Sequence, residues 1–588
     1  MILHPQQSLL AVNDFISYMI LSEFTADLDT SFLEHSAIID RVFLAAHPNP
    51  FHLLKSFDLS KALLTYCEAV ACSDVDTWHA AMQCEMDVLQ ERGMFKPTML
   101  PSGWKAIGTW WVFAYKLHPD RSIIQRKEKA RLVAQGFSQH PEDFGETYAP
   151  VAKMTSIHVI LAFMAAHDYE LLCYNIKSAF LHALLLHQVY LKQIQGFPEA
   201  DLKTVYLVLQ AIYGLRQSSH EFYCLLRRIL EGIGLSHCEV NHALFYGRFS
   251  SSPDPSVPMP LDRTDLVIFM PVHVDDSLVA MNSLPLYYWV LCEMNKQIEV
   301  NDLGAASLYL GIHIDHNCPN LHLWLSQKHV ITELLTTYNL LDMHPSPIPL
   351  HHKLHELPDA PPNALPDIVD DDVEVHFQCL IGLSCTSLYA PDQASLMQQW
   401  HSDSSTLICH VHLEYNFSQS PVGPPASVLL PSNCAFTDAD WASDETDHHS
   451  ISGYTFFIFG SLFSWSVVKQ HTMALSSTKA EYMALMHGMK EAIWLRLLLI
   501  TLKMPLPHPF PLLCDNQSTL NIANSLSLSS HSKHIDVRYH FIREHLLSGS
   551  FMTTWVPTGD MAANIFTKPL LPTLHAKHIP SPGLVRLP

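Results

Sequence analysis

The chain has 588 residues, 48% of them hydrophobic, with a formal net charge of −22 and 13 cysteines. That length allows roughly four domains with real cores, while the acidic balance argues against a protein that coats nucleic acid unselectively. No apolar run reaches the 18 or so residues of a membrane span, and the cysteines, never in a CxxC pair, exclude a zinc ribbon and fit reduced thiols in a cytosolic or nuclear setting.

Residues 1–64 carry no legible chemistry and are expected to form a leader, with Pro48 and Pro50 marking a break. The opening MILHPQQSLLAVNDF lacks the basic and long apolar regions of a signal peptide. Trp78, Ala81, Met82, Met86 and Leu89 recur at helical spacing. A turn at Pro101-Ser102-Gly103 precedes an aromatic and β-branched strand over 107–117. The basic stretch 125–136, with Lys129 and Arg131, is expected on a strand or hairpin. Its charges suit phosphates; a solvated charged face is the plainer alternative.

Two apolar runs, 266–272 and 277–281, flank His273-Val274-Asp275-Asp276 and predict a β-hairpin with two carboxylates near its tip. Adjacent carboxylates repel, so the pair suits a hard cation such as Mg²⁺ and phosphoryl chemistry. The competing reading is an ordinary Asp-containing turn. Residues 346–430 are dense in Pro and His and read as a linker with an eroded, poorly packed connection.

A second unit begins near 431. A strand over 433–441 contains Asp438, and a hairpin of 453–459 and 462–468 turns at Gly460-Ser461. A helix follows, with Thr478 and Glu481 as a capping-box pair and an apolar stripe at Tyr482, Leu485, Met489, Ile493 and Leu497. Asp515 ends a fourth strand, 551–556 is a fifth, and a helix starts near 560. The order βββαβαβα matches an RNase H fold. A strand-end Asp or a helix-capping Glu explains each acid singly; their joint placement points to catalysis.

The segments KARLVAQGF (129–137), ETYAPVAKMTSIHVILA (146–162), NIKSAFLHA (175–183), AIYGLRQSSHEFY (211–223), HVDDSLVA (273–280) and LGIHI (310–314) occur in one order. Together they resemble the reverse transcriptase of copia-type LTR retrotransposon polyproteins, over about 65–345 and again over about 431–570. The resemblance implies an α+β fold: a right-hand (fingers-palm-thumb) reverse transcriptase followed by an RNase H-like α/β domain. It implies domains at 65–345 (fingers, palm and the start of a thumb from Ser326-Gln327-Lys328), 346–430 (thumb or connection and linker), 431–570 (RNase H-like) and a tail at 571–588. Residues 301–312 are expected to end the palm and form the primer-gripping hairpin.

By the same resemblance, Lys129 and Arg131 sit in the fingers near the incoming triphosphate, and Tyr213 and Gly214 line the nucleotide pocket. Asp275 and Asp276 are two of three palm carboxylates. Asp438, Glu481 and Asp515 bind metal in the RNase H site, and two Mg²⁺ ions are expected per active site. The partners implied are an RNA template, a DNA primer, an RNA–DNA hybrid and dNTPs, with no membrane. The implied location is cytoplasmic or nuclear, in a virus-like particle for an active element. The basic segment 532–540 is expected to touch a phosphate backbone.

The sequence departs from that pattern at chemically important places. Asn175 stands where the family has the third palm Asp, and an amide supplies only one neutral oxygen. Asn564 stands where a fourth RNase H acid is expected, Lys479 replaces a usual Glu, and Ala183, Ser219 and His273 replace a usual Gly, Pro and Tyr. The reading is an RNA-directed DNA polymerase with an RNase H domain, its polymerase site impaired by Asn175 and its RNase H site less damaged. The alternative is a non-catalytic retrotransposon relic that binds nucleic acid weakly or not at all. No feature of the sequence favours a third reading, a protein adopted by its host.

Overall fold

The computed structural model describes residues 65–72, 74–116, 127–199, 201, 203–259, 265–317, 322–326, 414–417, 433–443, 447–504, 509–525, 536–568, 570–578 and 584–585. The expected leader, the thumb helix beyond Ser326, the linker apart from four residues, and 526–535 lie outside these. By contact the chain divides into two compact units. One comprises the described residues up to Asp143 with His187–Leu215; the other comprises Phe144–Leu186 with the described residues from Arg216 onward.

In the first unit, helix α1 (Tyr66–Ala71) opens on a capping box between Thr65 and Glu68. Helix α2 (Val75–Glu91) buries Trp78, Met82, Met86 and Leu89 of the expected stripe, with Ala81 only half-buried at its edge. Strands β2 (Thr109–Lys116) and β3 (Lys127–Ala134) form an antiparallel ribbon. Side chains alternate across a strand, so one face buries Trp111, Phe113, Ala130 and Leu132. There Trp78 meets Phe113 edge-on, ring centroids 5.1 Å apart. The other face carries Trp110, Val112, Lys129 and Arg131. Strands β1 (Phe95–Met99), β6 (Thr204–Gln210) and β5 (Leu184–Leu191, from His187 onward in this unit) make a three-stranded sheet in the order β1-β6-β5.

The second unit holds the palm. Its sheet runs β11 (Val300–Ala305), β4 (Glu170–Ile176), β10 (Asp276–Met281), β9 (Leu266–His273), β8 (Asn241–Phe249), β7 (Ser236–Cys238). Strands β9 and β10 form the expected hairpin, with His273 paired to Asp276 and Val274-Asp275 as the two-residue turn. Val274 adopts φ +58°, a left-handed conformation that β-branched residues resist. Helix α3 (Met154–His167) buries Ser156 to Ala165 without a break, because it is covered on more than one side. It packs on β9 and β10, and also on β18 (Ser461–Lys469) of a later sheet. Helix α4 (Ser218–Gly232) follows the turn at Gly214, and α5 (Leu284–Asn295) packs on β9, β10 and β11. The hairpin β12 (Leu308–Tyr309) with β13 (Ile312–Asn317) starts a further sheet, completed by β14 (His322–Ser326), β15 (Glu414–Phe417) and β21 (Leu584–Val585). Four residues of the expected linker and two of the expected tail are therefore strand.

The last sheet has the order β18, β17 (Ile451–Ile458), β16 (Cys434–Asp440), β19 (Phe510–Cys514), β20 (Phe551–Trp555). β16 runs antiparallel to β17 and parallel to β19, and β19 runs parallel to β20. Helix α6 (Ser477–Thr501) covers β16 and β17, while α7 (Gln517–Asn524) and α8 (Asp536–Leu547) together bridge β19 to β20. This is the RNase H-like order, and the fold is the expected α+β one. Three local details differ. The β17–β18 turn is Phe459-Gly460, both with positive φ, not Gly460-Ser461. The cap of α6 is Ser476, whose hydroxyl accepts from the Lys479 N–H; Thr478 already lies inside the helix. Beyond β20, where a helix from about 560 is expected, there is a 3₁₀ turn at Thr558–Asp560 and two short helices, α9 (Asn564–Thr567) and α10 (Pro572–His578).

Candidate functional site

In the palm, β-pairing sets Asp276 directly opposite Asn175. Asn175 Nδ2 donates to Asp276 Oδ1 at 2.6 Å. The amide thus presents its nitrogen, not its oxygen, to the neighbouring carboxylate. Burial, with Asp275 alongside, lifts the Asp276 carboxyl above the usual Asp value, and the Asn175 hydrogen bond works against that rise. Asp275 is pinned through its backbone, its carbonyl accepting from Ile176 N at 2.7 Å. The three positions converge, but as two acids and an amide donor.

The first unit brings Arg131 and Tyr213 together. The guanidinium lies over the phenol ring, 5.3 Å from its centroid. Lys129 lies two residues along the same face of β3, exposed. Gly214 has φ +89°, and a Cβ there would meet Ala134 O at 2.2 Å. The close approach of two backbones accounts for this glycine without any ligand.

The RNase H-like sheet gathers the other acids. Asp438 lies on β16 and is fully buried; Glu481 lies in the second turn of α6, also buried; Asp515 directly follows β19. Placed in the core, Glu481 is not a capping residue. Ligand atoms of Glu481, Asp515 and Cys514 all lie within 4.8 Å of one another. Burial first, then Asp438 and Asp515, push the Glu481 carboxyl up to about 9. Burial also raises Asp438, against the pull of Lys568 and Thr567. Cys514 is a thiol kept protonated, its pKa raised by burial and by Glu481, and so is a poor partner for a hard cation. Three acids crowd one ammonium closely enough that Glu481 keeps its proton near neutral pH, and such a set of carboxyl oxygens suits a divalent ion.

Asn564 is not joined to these acids by a hydrogen bond among the described residues. It is buried at the start of α9, its Nδ2 donating to Thr558 O at 2.9 Å while its Oδ1 has no partner. Instead, Thr567 and Lys568 of the same segment reach the site. Thr567 Oγ1 donates to Asp438 Oδ2, and Lys568 Nζ lies 3.1 Å from Asp438 Oδ1. These two contacts were not anticipated, although both residues belong to the segment 563–570 that resembles the family.

Residues 93–352 match the family described as reverse transcriptase (RNA-dependent DNA polymerase). The Pol polyprotein of tobacco (Nicotiana tabacum) transposon TNT 1-94 is 29% identical over 90% of this chain and 39% of its own length. The chain is similar to the reverse transcriptase region of copia-type polyproteins. The Pol polyprotein of Arabidopsis thaliana transposon RE1 is likewise 29% identical, over 83% of this chain and 32% of its own length. The chain thus spans between about a third and two fifths of those relatives. Among solved structures, a foamy viral protease-reverse transcriptase in complex with double-stranded DNA is 10% identical, with a TM-score of 0.34 over 82% of this chain and 70% of that one.

Proposed function

We propose that the chain is the reverse transcriptase–RNase H portion of a copia-type element in which the polymerase site is disabled and the RNase H site is retained. The Asn175–Asp276 hydrogen bond carries this reading. Two divalent ions in the palm need oxygen ligands from three strand positions, and here one position offers an N–H to the acid that should be a ligand. The palm does not fit that pair of ions in this form, and we assign it no polymerisation step.

The RNase H-like site does fit. Asp438, Glu481 and Asp515 would hold Mg²⁺, which when bound supplies Lewis acidity for phosphodiester hydrolysis. Glu481, protonated near neutral pH, would have to ionise to serve as a ligand, and the buried strand β16 fixes the position of Asp438. The substrate class is the RNA strand of an RNA–DNA hybrid. An RNA template, a DNA primer and dNTPs are the partners proposed for a palm with its third acid restored, and the cytoplasm or nucleus is the proposed location.

The test is paired. Mg²⁺-dependent primer extension on an RNA template is measured for the chain and for Asn175→Asp, and cleavage of labelled RNA in a hybrid for the chain and for Asp515→Asn. The expected result is extension by Asn175→Asp alone and hybrid cleavage lost in Asp515→Asn. Extension by the unaltered chain overturns the account of Asn175. Absence of both activities in every variant favours the second reading, a non-catalytic relic, which the net charge of −22 also favours.

A further inference from the structure

Asp438 is the least exposed acid of the RNase H-like site, at 0%. A buried carboxylate is costly unless paired and hydrogen-bonded. Both of its oxygens are engaged by consecutive residues of one segment, Oδ2 by the Thr567 hydroxyl and Oδ1 by the Lys568 ammonium at 3.1 Å. The sheet makes room for this clamp. Gly453 pairs with Asp438 across β16 and β17, and a Cβ at 453 would meet Thr567 Cγ2 at 2.5 Å. The lysine enters from the rim, its side chain 28% exposed. Its charge acts on Glu481 and Asp440 as well as on Asp438. The atoms that converge within 4.8 Å belong to Glu481, Cys514 and Asp515, and Asp438 is not among them.

We infer that Lys568 is a tethered counter-ion of the metal-free site: its ammonium neutralises Asp438 in place of a divalent cation and must release Oδ1 before Asp438, Glu481 and Asp515 can hold a metal together. This rests on the RNase H reading proposed above. Metal affinity is then set by competition between a bound ion and a side chain of the same protein. Removing the ammonium strengthens metal binding and weakens the fold when metal is absent.

The full chain is titrated with Mn²⁺ by calorimetry and melted in EDTA, alongside Lys568→Gln, Lys568→Arg and Asp515→Asn. Lys568→Gln is expected to bind Mn²⁺ about tenfold or more tighter, because a unit charge a few ångströms away is removed from a partly buried site. It is also expected to melt below the parent in EDTA. Lys568→Arg keeps the charge on a fork that grips a carboxylate at two points and is expected to bind Mn²⁺ several-fold weaker. If Mn²⁺ binding depends on Asp515 yet Lys568→Gln binds no tighter, this inference falls and the RNase H reading stands. If no variant binds Mn²⁺ through Asp515, both fall. Should Lys568→Gln fail to fold even with saturating Mn²⁺, Lys568→Arg decides: weaker binding supports the inference, and equal or tighter binding overturns it.

Discussion

Asn175 and Asp276 face each other across β4 and β10 and share a 2.6 Å hydrogen bond, amide nitrogen to carboxylate oxygen. The bond solves, without metal, the problem that an acidic palm poses. Asp276 is half-buried beside Asp275, and the N–H stabilises its charged form.

Restoring the acid therefore has a stability cost that activity alone does not reveal. Asn175→Asp is expected to lower unfolding stability in EDTA by about 1–3 kcal/mol, since a hydrogen bond is exchanged for carboxylate repulsion. Millimolar Mg²⁺ is expected to return most of the loss. Denaturant melts with and without Mg²⁺ check this, and equal stability of the two chains in EDTA would show that the bond contributes nothing.

Glu481 gives the opposite sign. Its folded carboxyl is pushed up to about 9, above the ordinary Glu value of 4.5. Its stability contribution is complete below about pH 4.5 and is eroded as pH rises toward 9, because only the unfolded chain ionises in that window. Glu481→Gln is expected to stabilise the metal-free chain at pH 7 by about 1–3 kcal/mol, with no gain at pH 4. It is also expected to abolish stabilisation by Mn²⁺. Thermal melts at both pH values, with EDTA or Mn²⁺, decide it.

His158 is an acid-sensitive joint within the second unit. Its Nδ1–H donates to Phe463 O at 3.1 Å and its ring stacks on Trp465, joining palm helix α3 to the RNase H-like strand β18. Burial lowers it from 6.5 to about 4, against the pull of the Phe463 carbonyl. The folded state thus binds fewer protons, and the contribution is complete above about pH 6.5 and lost as pH falls toward 4, up to about 3 kcal/mol. His158→Asn keeps an N–H donor but does not titrate. Its stability is expected to fall less steeply from pH 6.5 to 4, measured by urea melts at each pH; a parallel fall would mean that other groups carry the acid response.

Gly214 tests backbone packing in the first unit. Gly214→Ala combines a positive φ with a contact at 2.2 Å to Ala134 O. A loss of at least about 2 kcal/mol is expected from strain and the forced shift of β3. Proteolytic susceptibility of β3 reports it locally. A neutral substitution would mean the turn relaxes.

Much of the fold was legible because it is locally encoded. The stripe Trp78, Met82, Met86 and Leu89 is helical spacing buried on one side, and the runs around Asp275 and Asp276 are a hairpin whose two-residue turn is set by alternation. Helix α3 was harder. A helix apolar on every side has no periodicity to reveal its neighbours, and its cover, β18, lies some three hundred residues later. The cap of α6 was misplaced because Thr478 and Glu481 match the capping-box pattern, whereas the true cap, Ser476, has only Lys479 three residues on; burial of Glu481 in the acidic site removes it from a capping role.

The sequence by itself determined which residue types stand at the chemical positions: Asp275, Asp276, Asp438, Glu481 and Asp515 as acids, Asn175 and Asn564 as amides. Tertiary structure alone decided what those groups do to one another. It turned the Asn175 amide nitrogen toward Asp276, directed Asn564 to the Thr558 carbonyl and away from the acids, and brought Lys568 onto Asp438 from 130 residues along the chain. The physical reason is that residue identity is a property of the chain, whereas charge pairing depends on distance and burial, which only packing of remote segments creates.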